Sequence, residues 1–242
     1  MARAVENNAL RRNDLRKGCL VFSAVGTVLA VMALAVFCIQ IFSFNRDFYA
    51  EEYAKDKTAE TVGVSEDELE DATDALLSYI QGGREDLDLS VTMDGAQRQY
   101  YNEREKAHMV DVRALYLSAV NFMVWGAVCA AALFAACFII WKRKALSAVL
   151  EGIYKTATVI LAAFAALAVW AAIDFNGFWV SFHLVFFRND LWLLDPRTDL
   201  MIRMFSSGFF FDLVFKILAL FLGVLITAAV IARIAYKRRT VK

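Results

Sequence analysis

Four long apolar runs alternate with polar segments along the chain: Cys19 to Phe44, Ala114 to Trp141, Thr156 to Ile173 and Leu213 to Tyr236. Crossing roughly 30 Å of hydrocarbon as a helix takes about 20 mostly apolar residues, so each run predicts a transmembrane helix. The first run is 26 residues long, and no small-residue cleavage pattern follows it before Arg46 and Asp47. It therefore reads as a permanent span and not as a signal peptide. Only the fourth run contains charges, Lys216 near one end and Arg233 near the other, where long side chains can reach the headgroups. Asp212, one turn before Lys216, reads as its structural ion-pair partner.

The polar segments carry their own patterns. Ser65 to Glu68 is a capping box ahead of Leu69, Ala72, Ala75, Leu76 and Tyr79, an amphipathic helix ended by Gly82 and Gly83. Leu87, Leu89, Val91 and Met93 then alternate with polar residues, Asp94 and Gly95 suit a tight turn, and Gln97 to Tyr101 can return as a partner strand. Asn102 to Arg113 predicts a polar helix continuous with the second span. Phe178 to Phe187 is too short to cross and too apolar for a free loop, which suggests a segment lying in the interface. Asp195 followed by Pro196 predicts a short helix from Pro196 to about Phe205, with free N–H groups at its amino end. The predicted fold class is an α-helical membrane protein: four transmembrane helices, a small extracytoplasmic α+β cap of a helix plus a β-hairpin, and a second interfacial loop segment.

Charge orients this arrangement. Sixty per cent of the residues are hydrophobic, which argues against an ordinary cytosolic enzyme, and 26 basic residues balance 26 acidic ones, leaving no global basic field to hold nucleic acid. Residues 1–17 carry a net +3 (five basic, two acidic), as do residues 142–155 (four basic, one acidic), and the tail from Arg233 has five basic residues and no acidic one. Residues 45–113 carry −10 (8 basic, 18 acidic) and residues 174–212 carry −2 (3 basic, 5 acidic). Short cytoplasmic segments are rich in Lys and Arg, so both termini are expected in the cytoplasm. The expected divisions are a tail (1–18), first span (19–44), outer cap (45–113), second span (114–141), inner loop (142–155), third span (156–173), outer loop (174–212), fourth span (213–236) and tail (237–242). The four cysteines all lie in apolar runs without CxxC spacing, which argues against both a disulfide framework and a zinc knuckle.

The only two histidines, His108 and His183, fall on the outer side near the membrane surface. Arg104, His108 and Asp111 share one helical face, and a carboxylate there can hold an imidazole in one tautomer. Arg188, Asn189 and Asp190 follow His183 in a largely aromatic stretch. Three function classes fit: an acid–base enzyme at the lipid–water boundary, a metal-dependent membrane hydrolase using two His and a carboxylate such as Asp111 or Asp190, and a non-catalytic adaptor docking through its acidic helix. His-x-x-Asp is common by chance on helices, and no phosphate loop or nucleophile elbow is present, so no metal or other cofactor is assigned.

The segments Asn102-Glu-Arg-Glu-Lys-Ala-His108-Met-Val-Asp111-Val-Arg113 and Phe182-His183 through Arg188-Asn189-Asp190-Leu-Trp192 to Asp195-Pro196-Arg-Thr-Asp199 closely resemble the two hallmark segments of the bacterial lipoprotein intramolecular transacylases. The resemblance runs from about Phe48 to Asp212 and departs from the family pattern at Phe205, Ser206 and Ser207, where a proline is expected. It implies transfer of the sn-2 acyl chain of a diacylglyceryl-modified amino-terminal cysteine to the α-amino group of that cysteine, giving a lyso-form lipoprotein. It also implies that both motif histidines act in catalysis. His108 is expected as principal base oriented by Asp111, and His183 as its partner or an oxyanion donor, with the roles exchangeable. Arg113, Arg188, Asn189 and Asp190 are expected to bind headgroup or peptide. The expected partners are the lipoprotein substrate and membrane lipid.

Overall fold

The computed structural model describes residues 16–93, 95–142 and 145–240, together with the backbone over 2–15. In chain order it contains helices α1 (Ala2–Ser43), α2 (Arg46–Asp56), α3 (Thr58–Val62) and α4 (Glu66–Ile80), strands β1 (Ser90–Met93) and β2 (Ala96–Gln99), and helices α5 (Glu103–Trp141), α6 (Ala145–Ile173), α7 (Phe175–Phe186), α8 (Leu200–Met204) and α9 (Ser207–Thr240). Four of them, α1 over Arg16–Ser43, α5, α6 and α9, are long and apolar enough to cross a membrane. The chain forms two compact units: Met1–Cys38, Phe122–Val169 and Leu218–Lys242 make one, and Ile39–Asn121 with Trp170–Ile217 make the other.

The first unit is the apolar one. Its best-buried contacts involve small residues: Cys19, Cys137, Ala145, Ala148 and Val149 pack together, and the Ser23 hydroxyl donates to the Val149 carbonyl at 2.9 Å. A Cβ added at Gly152 would come 2.4 Å from the Ser23 Oγ, so glycine is what lets α1 and α6 approach there. Ile139 and Val159 face outward at more than 70% exposure, the arrangement expected of helices solvated by lipid. Glu151, nearly buried, is paired with Arg16 (2.5 Å) and Lys155 (2.7 Å). The basic last turn of α9, Lys237 to Arg239, complements the helix dipole.

The second unit holds the cap. The expected capping box is present: the Ser65 side chain accepts from the Glu68 N–H, and the Glu68 carboxylate accepts from the Ser65 N–H. Glu68 also accepts from the Thr92 N–H at 2.7 Å, which ties the start of α4 to β1. Leu69, Ala72, Leu76 and Tyr79 bury the predicted face, and Gly82, with φ of +83°, makes the turn after the helix. Tyr101 lies beneath α4 and donates to the Ala72 carbonyl at 2.8 Å. Phe209, at the start of α9, packs on Phe48, Tyr49, Tyr53, Phe205 and Phe210.

Several expectations are corrected. The cap contains α2 and α3 as well as α4, because the aromatic residues Phe48, Tyr49 and Tyr53 supply a buried helical face that the surrounding charges mask in the sequence. The hairpin pairs only Ser90–Met93 with Ala96–Gln99; Leu87 is buried ahead of the ladder, and Tyr100 and Tyr101 lie beyond it. Of its expected turn, Asp94 lies outside the described residues. The segment 142–155 is mostly helix, since α6 starts at Ala145; Arg143 and Lys144 lie outside the described residues, as do the side chains of 1–15. Asp212 pairs with Lys55, while Lys216 lies 3.7 Å from Glu51 and over the Phe48 ring, so the expected Asp212–Lys216 pair gives way to contacts with α2.

The helix expected from Pro196 begins instead at Leu200 with Asp199 preceding it, and residues 196–198 form a turn. Asp195 binds the backbone and guanidinium of Arg197, and the amino end of α8 is already filled: the buried Glu105 carboxylate accepts the Met201 N–H at 2.6 Å.

Truncating Phe209 removes the centre of this aromatic cluster. Phe209→Ala is expected to cost about 3–5 kcal/mol, read as a lowered thermal unfolding midpoint of the purified protein in detergent.

Candidate active site

Helix α5 is 39 residues long, roughly 58 Å of rise, well beyond the thickness of a bilayer core. Its polar beginning, Glu103 to Arg113, therefore stands outside the apolar span, and His108 lies within that beginning. Helix α7 has 12 residues, about 18 Å, too short to cross, and His183 sits in its last turn. The two rings, 75 positions apart in sequence, meet with centroids 6.1 Å apart at an interplanar angle of 36°. Both residues are 7% exposed.

Aromatic side chains enclose them. Trp192 stacks on His183 at 4.8 Å, Trp179 and Phe182 meet it edge-on, and Phe187 touches both imidazoles, 5.2 Å from His108 and 5.7 Å from His183. Trp179 in turn stacks on Phe210 at 4.2 Å. This apolar wall desolvates the imidazoles and disfavours their charged forms. Burial lowers the His108 pKa to about 4, helped by the neighbouring His183 and Arg104 and opposed by Asp111. Burial lowers His183 as well, against the opposing effect of its bond to Trp179.

The His183 tautomer follows from geometry. Its Nδ1 lies 2.8 Å from the Trp179 carbonyl oxygen, which can only accept, so Nδ1 carries the proton. In the neutral ring Nε2 is then an unprotonated acceptor. The His108 Nδ1 is buried and has no hydrogen-bond partner among the described residues.

The predicted neighbours divide into those gathered here and those placed elsewhere. Asp111 accepts from the Asn189 side-chain amide at 2.8 Å, while none of its hydrogen bonds among the described residues runs to the His108 ring. Arg104 donates to the Asp190 carbonyl and lies 3.8 Å from the Asp190 carboxylate. The Trp192 indole donates to the Asn189 carbonyl at 2.9 Å, which folds the 188–192 turn under the ring that stacks on His183. Arg188 is exposed. Arg113 instead lies over the Tyr79 ring at 4.7 Å, against α4.

Sequence reading missed the Trp179 carbonyl and the Phe187 contact. The first was visible in principle, since Trp179 is four before His183, had Phe178 to Phe187 been assigned to a helix. It also missed Glu105, fully buried, whose carboxyl burial pushes up to about 7 against the Met201 and Asn102 N–H donors that favour its charged form. Asn102 joins the same network through a 2.8 Å bond to Asp199. Among the described residues no group of three or more His, Cys, Asp and Glu side chains is disposed to hold a metal ion.

Comparison with known proteins gives a consistent result. A family model described as lipoprotein intramolecular transacylase Lit matches residues 24–210. Solved structures of the membrane integral lipoprotein intramolecular transacylase Lit from Bacillus cereus match along nearly the whole chain. One has a TM-score of 0.69 at 20% identity, covering 95% of this chain and all of that one. A second, with a histidine replaced by arginine, has a TM-score of 0.66 at 20% identity, covering 98% and 99% of the two chains. A third, with a histidine replaced by alanine, has the same score and identity over 97% and 100%. At this identity the likeness is one of fold. No curated protein matches the chain.

Because only two histidines exist, their titration is directly readable. NMR of histidine-labelled protein, assigned with a His183→Gln variant, is expected to show His108 titrating near pH 4, His183 titrating below its ordinary midpoint, and the neutral His183 ring holding its proton on Nδ1. An ordinary midpoint near 6.5 for His108 would contradict the desolvated enclosure.

Proposed function

The chain belongs to the lipoprotein intramolecular transacylase family, membrane-integral acyltransferases, and from that premise we propose that it moves the sn-2 acyl chain of a diacylglyceryl-modified amino-terminal cysteine onto the α-amino group of that cysteine, using His108 and His183 for proton transfer. The observation that carries this reading is the meeting of the two histidines in one aromatic enclosure. The adaptor reading gives no reason for that meeting, and the metal-hydrolase reading needs a carboxylate ligand where Asp111 is committed to Asn189 and the Asp190 carboxylate faces Arg104.

The chemistry needs little beyond what these residues offer. The amine and ester belong to one molecule, and holding them together can contribute about 7–11 kcal/mol of the barrier. The amine nitrogen attacks the ester carbonyl and its proton passes to the unprotonated Nε2 of His183. The imidazolium so formed gives that proton up through His108, which takes it on one ring nitrogen as the N–H of the other protonates the glyceryl oxygen, so the C–O bond breaks and both rings end neutral. Their depressed pKa values keep both imidazoles neutral at neutral pH, each with one ring nitrogen free to accept. Asp111 acts as a positioning residue: its bond to Asn189 holds the turn that carries Trp192 onto His183. Arg188 and Asp190 border the same turn and suit substrate headgroup or peptide, while Arg113, against α4, serves the fold.

The charge asymmetry supports an orientation with both termini in the cytoplasm and the histidines on the outer side of the cell membrane, where the lipidated cysteine is found. The enzyme's partners are then its lipoprotein substrate and the surrounding lipid.

Two outcomes test the reading. His108→Ala and His183→Ala should each abolish conversion of a diacylglyceryl reporter to the lyso form, scored by mass spectrometry of its amino-terminal peptide, with normal expression; full conversion by both variants rejects it. The acid limb of kcat/KM should fall below pH 6.5, because protonation of a ring with a lowered pKa requires stronger acid. Stability should weaken over the same range, since the unfolded imidazoles take up protons near 6.5 and the folded His108 only near 4.

A further inference from the structure

Arg104 lies one turn before His108 on α5, so the two side chains share a face. Its charge reaches the His108 ring, where it helps to depress the pKa. Its Nη2 is anchored on the Asp190 carbonyl, in the turn that follows α7, and the Asp190 carboxylate lies 3.8 Å away. The guanidinium is thus held between the helix bearing His108 and the turn whose Trp192 stacks on His183. Yet its Nε–H is buried and finds no acceptor among the described residues. Buried donors are almost always satisfied, so this one calls for an acceptor that the described residues do not supply.

The geometry points to Arg104 as a catalytic residue whose Nε–H donates to the developing oxyanion of the tetrahedral intermediate. As the amine nitrogen bonds to the ester carbon, the carbonyl π bond breaks and its electron pair moves onto oxygen. The guanidinium, permanently cationic and already fixed by the Asp190 carbonyl, meets that charge without reorganising. When the C–O bond to glycerol breaks, the pair returns to form the amide carbonyl, and Arg104 neither gains nor loses a proton. Neither histidine is then needed as the oxyanion donor, which leaves both for proton transfer. This assignment rests on the transacylation reading above.

The test uses the full-length enzyme in lipid-containing detergent with a diacylglyceryl lipopeptide. Arg104→Lys keeps the positive charge beside Asp190 and lacks the Nε–H; Arg104→Ala removes the group. Both should lower kcat by about 10²- to 10³-fold with KM little changed, the signature of a donor used only in the transition state. Added guanidinium ion should restore part of the kcat of Arg104→Ala. A near-wild-type kcat in Arg104→Lys overturns the assignment, as does a loss confined to KM. Should Arg104→Ala fold poorly, Arg104→Lys decides alone. His108→Ala and His183→Ala, run alongside, separate the two claims: inactive histidine variants with a fully active Arg104→Lys reject only the oxyanion role, whereas active histidine variants reject the proton-transfer reading and this role with it.

Discussion

The site depends on one face of the polar beginning of α5. Arg104, His108 and Asp111 stand at intervals of four and three, so they project from the same side of the helix. The outer two grip the 188–192 turn, Arg104 at the Asp190 carbonyl and Asp111 at the Asn189 amide, and the middle one is the imidazole. Because α7 is too short to span a bilayer core, the chain after it must come back along the unit that holds the polar beginning of α5, and this face receives it. The same turn then sets Trp192 flat on His183. Two ties to α5 therefore place a ring that belongs to another helix 75 residues further along the chain.

Burial outweighs charge within that arrangement. His108 has a carboxylate one turn away that favours its protonated form, and Arg104 and His183 that disfavour it, but desolvation by the aromatic wall is the largest influence. Two imidazoles at a centroid distance of 6.1 Å in a dry enclosure cannot both carry charge cheaply, so the resting state at neutral pH has two neutral rings. The Trp179 carbonyl fixes which nitrogen of His183 is free.

Much of the architecture was legible in the sequence because lipid imposes long apolar runs, and because the α4 capping box and apolar spacing are local signals. The approach of the two histidines was legible only as a shared level near the membrane surface; their contact depends on tertiary ties that no local pattern encodes. Where expectation and structure part, tertiary contacts had overridden local chemistry. Asp195-Pro196 is a sound helix start, yet α8 begins at Leu200 because Glu105, across from α5, caps its N–H groups. Lys216 and Asp212 have the right spacing to pair, yet each finds a partner on α2, a helix whose charged sequence hid its aromatic face. Asp111 has the spacing to orient His108, yet it binds the turn instead. Each miss has the same form: a short-range partner displaced by a long-range one supplied by packing.

The helical form of α7 bears on the route of acyl transfer. Ser181 is the hydroxyl nearest to His183 in sequence, and in an extended segment it would share a side with the imidazole. In a helix, two residues correspond to about 200° of rotation, so the Ser181 side chain points away from the face that carries His183. A Ser–His pair is thereby lost, and with it the simplest way to make an acyl-enzyme at this site. Direct attack by the substrate's own amine needs no such pair. It needs only an unprotonated acceptor, a donor for the departing oxygen and an apolar wall that keeps water from hydrolysing the ester in place of the amine. In the proposed reaction these are the His183 Nε2, the His108 ring and the aromatic residues around them, so the orientation of Ser181 and the meeting of the two imidazoles fit that proposal together.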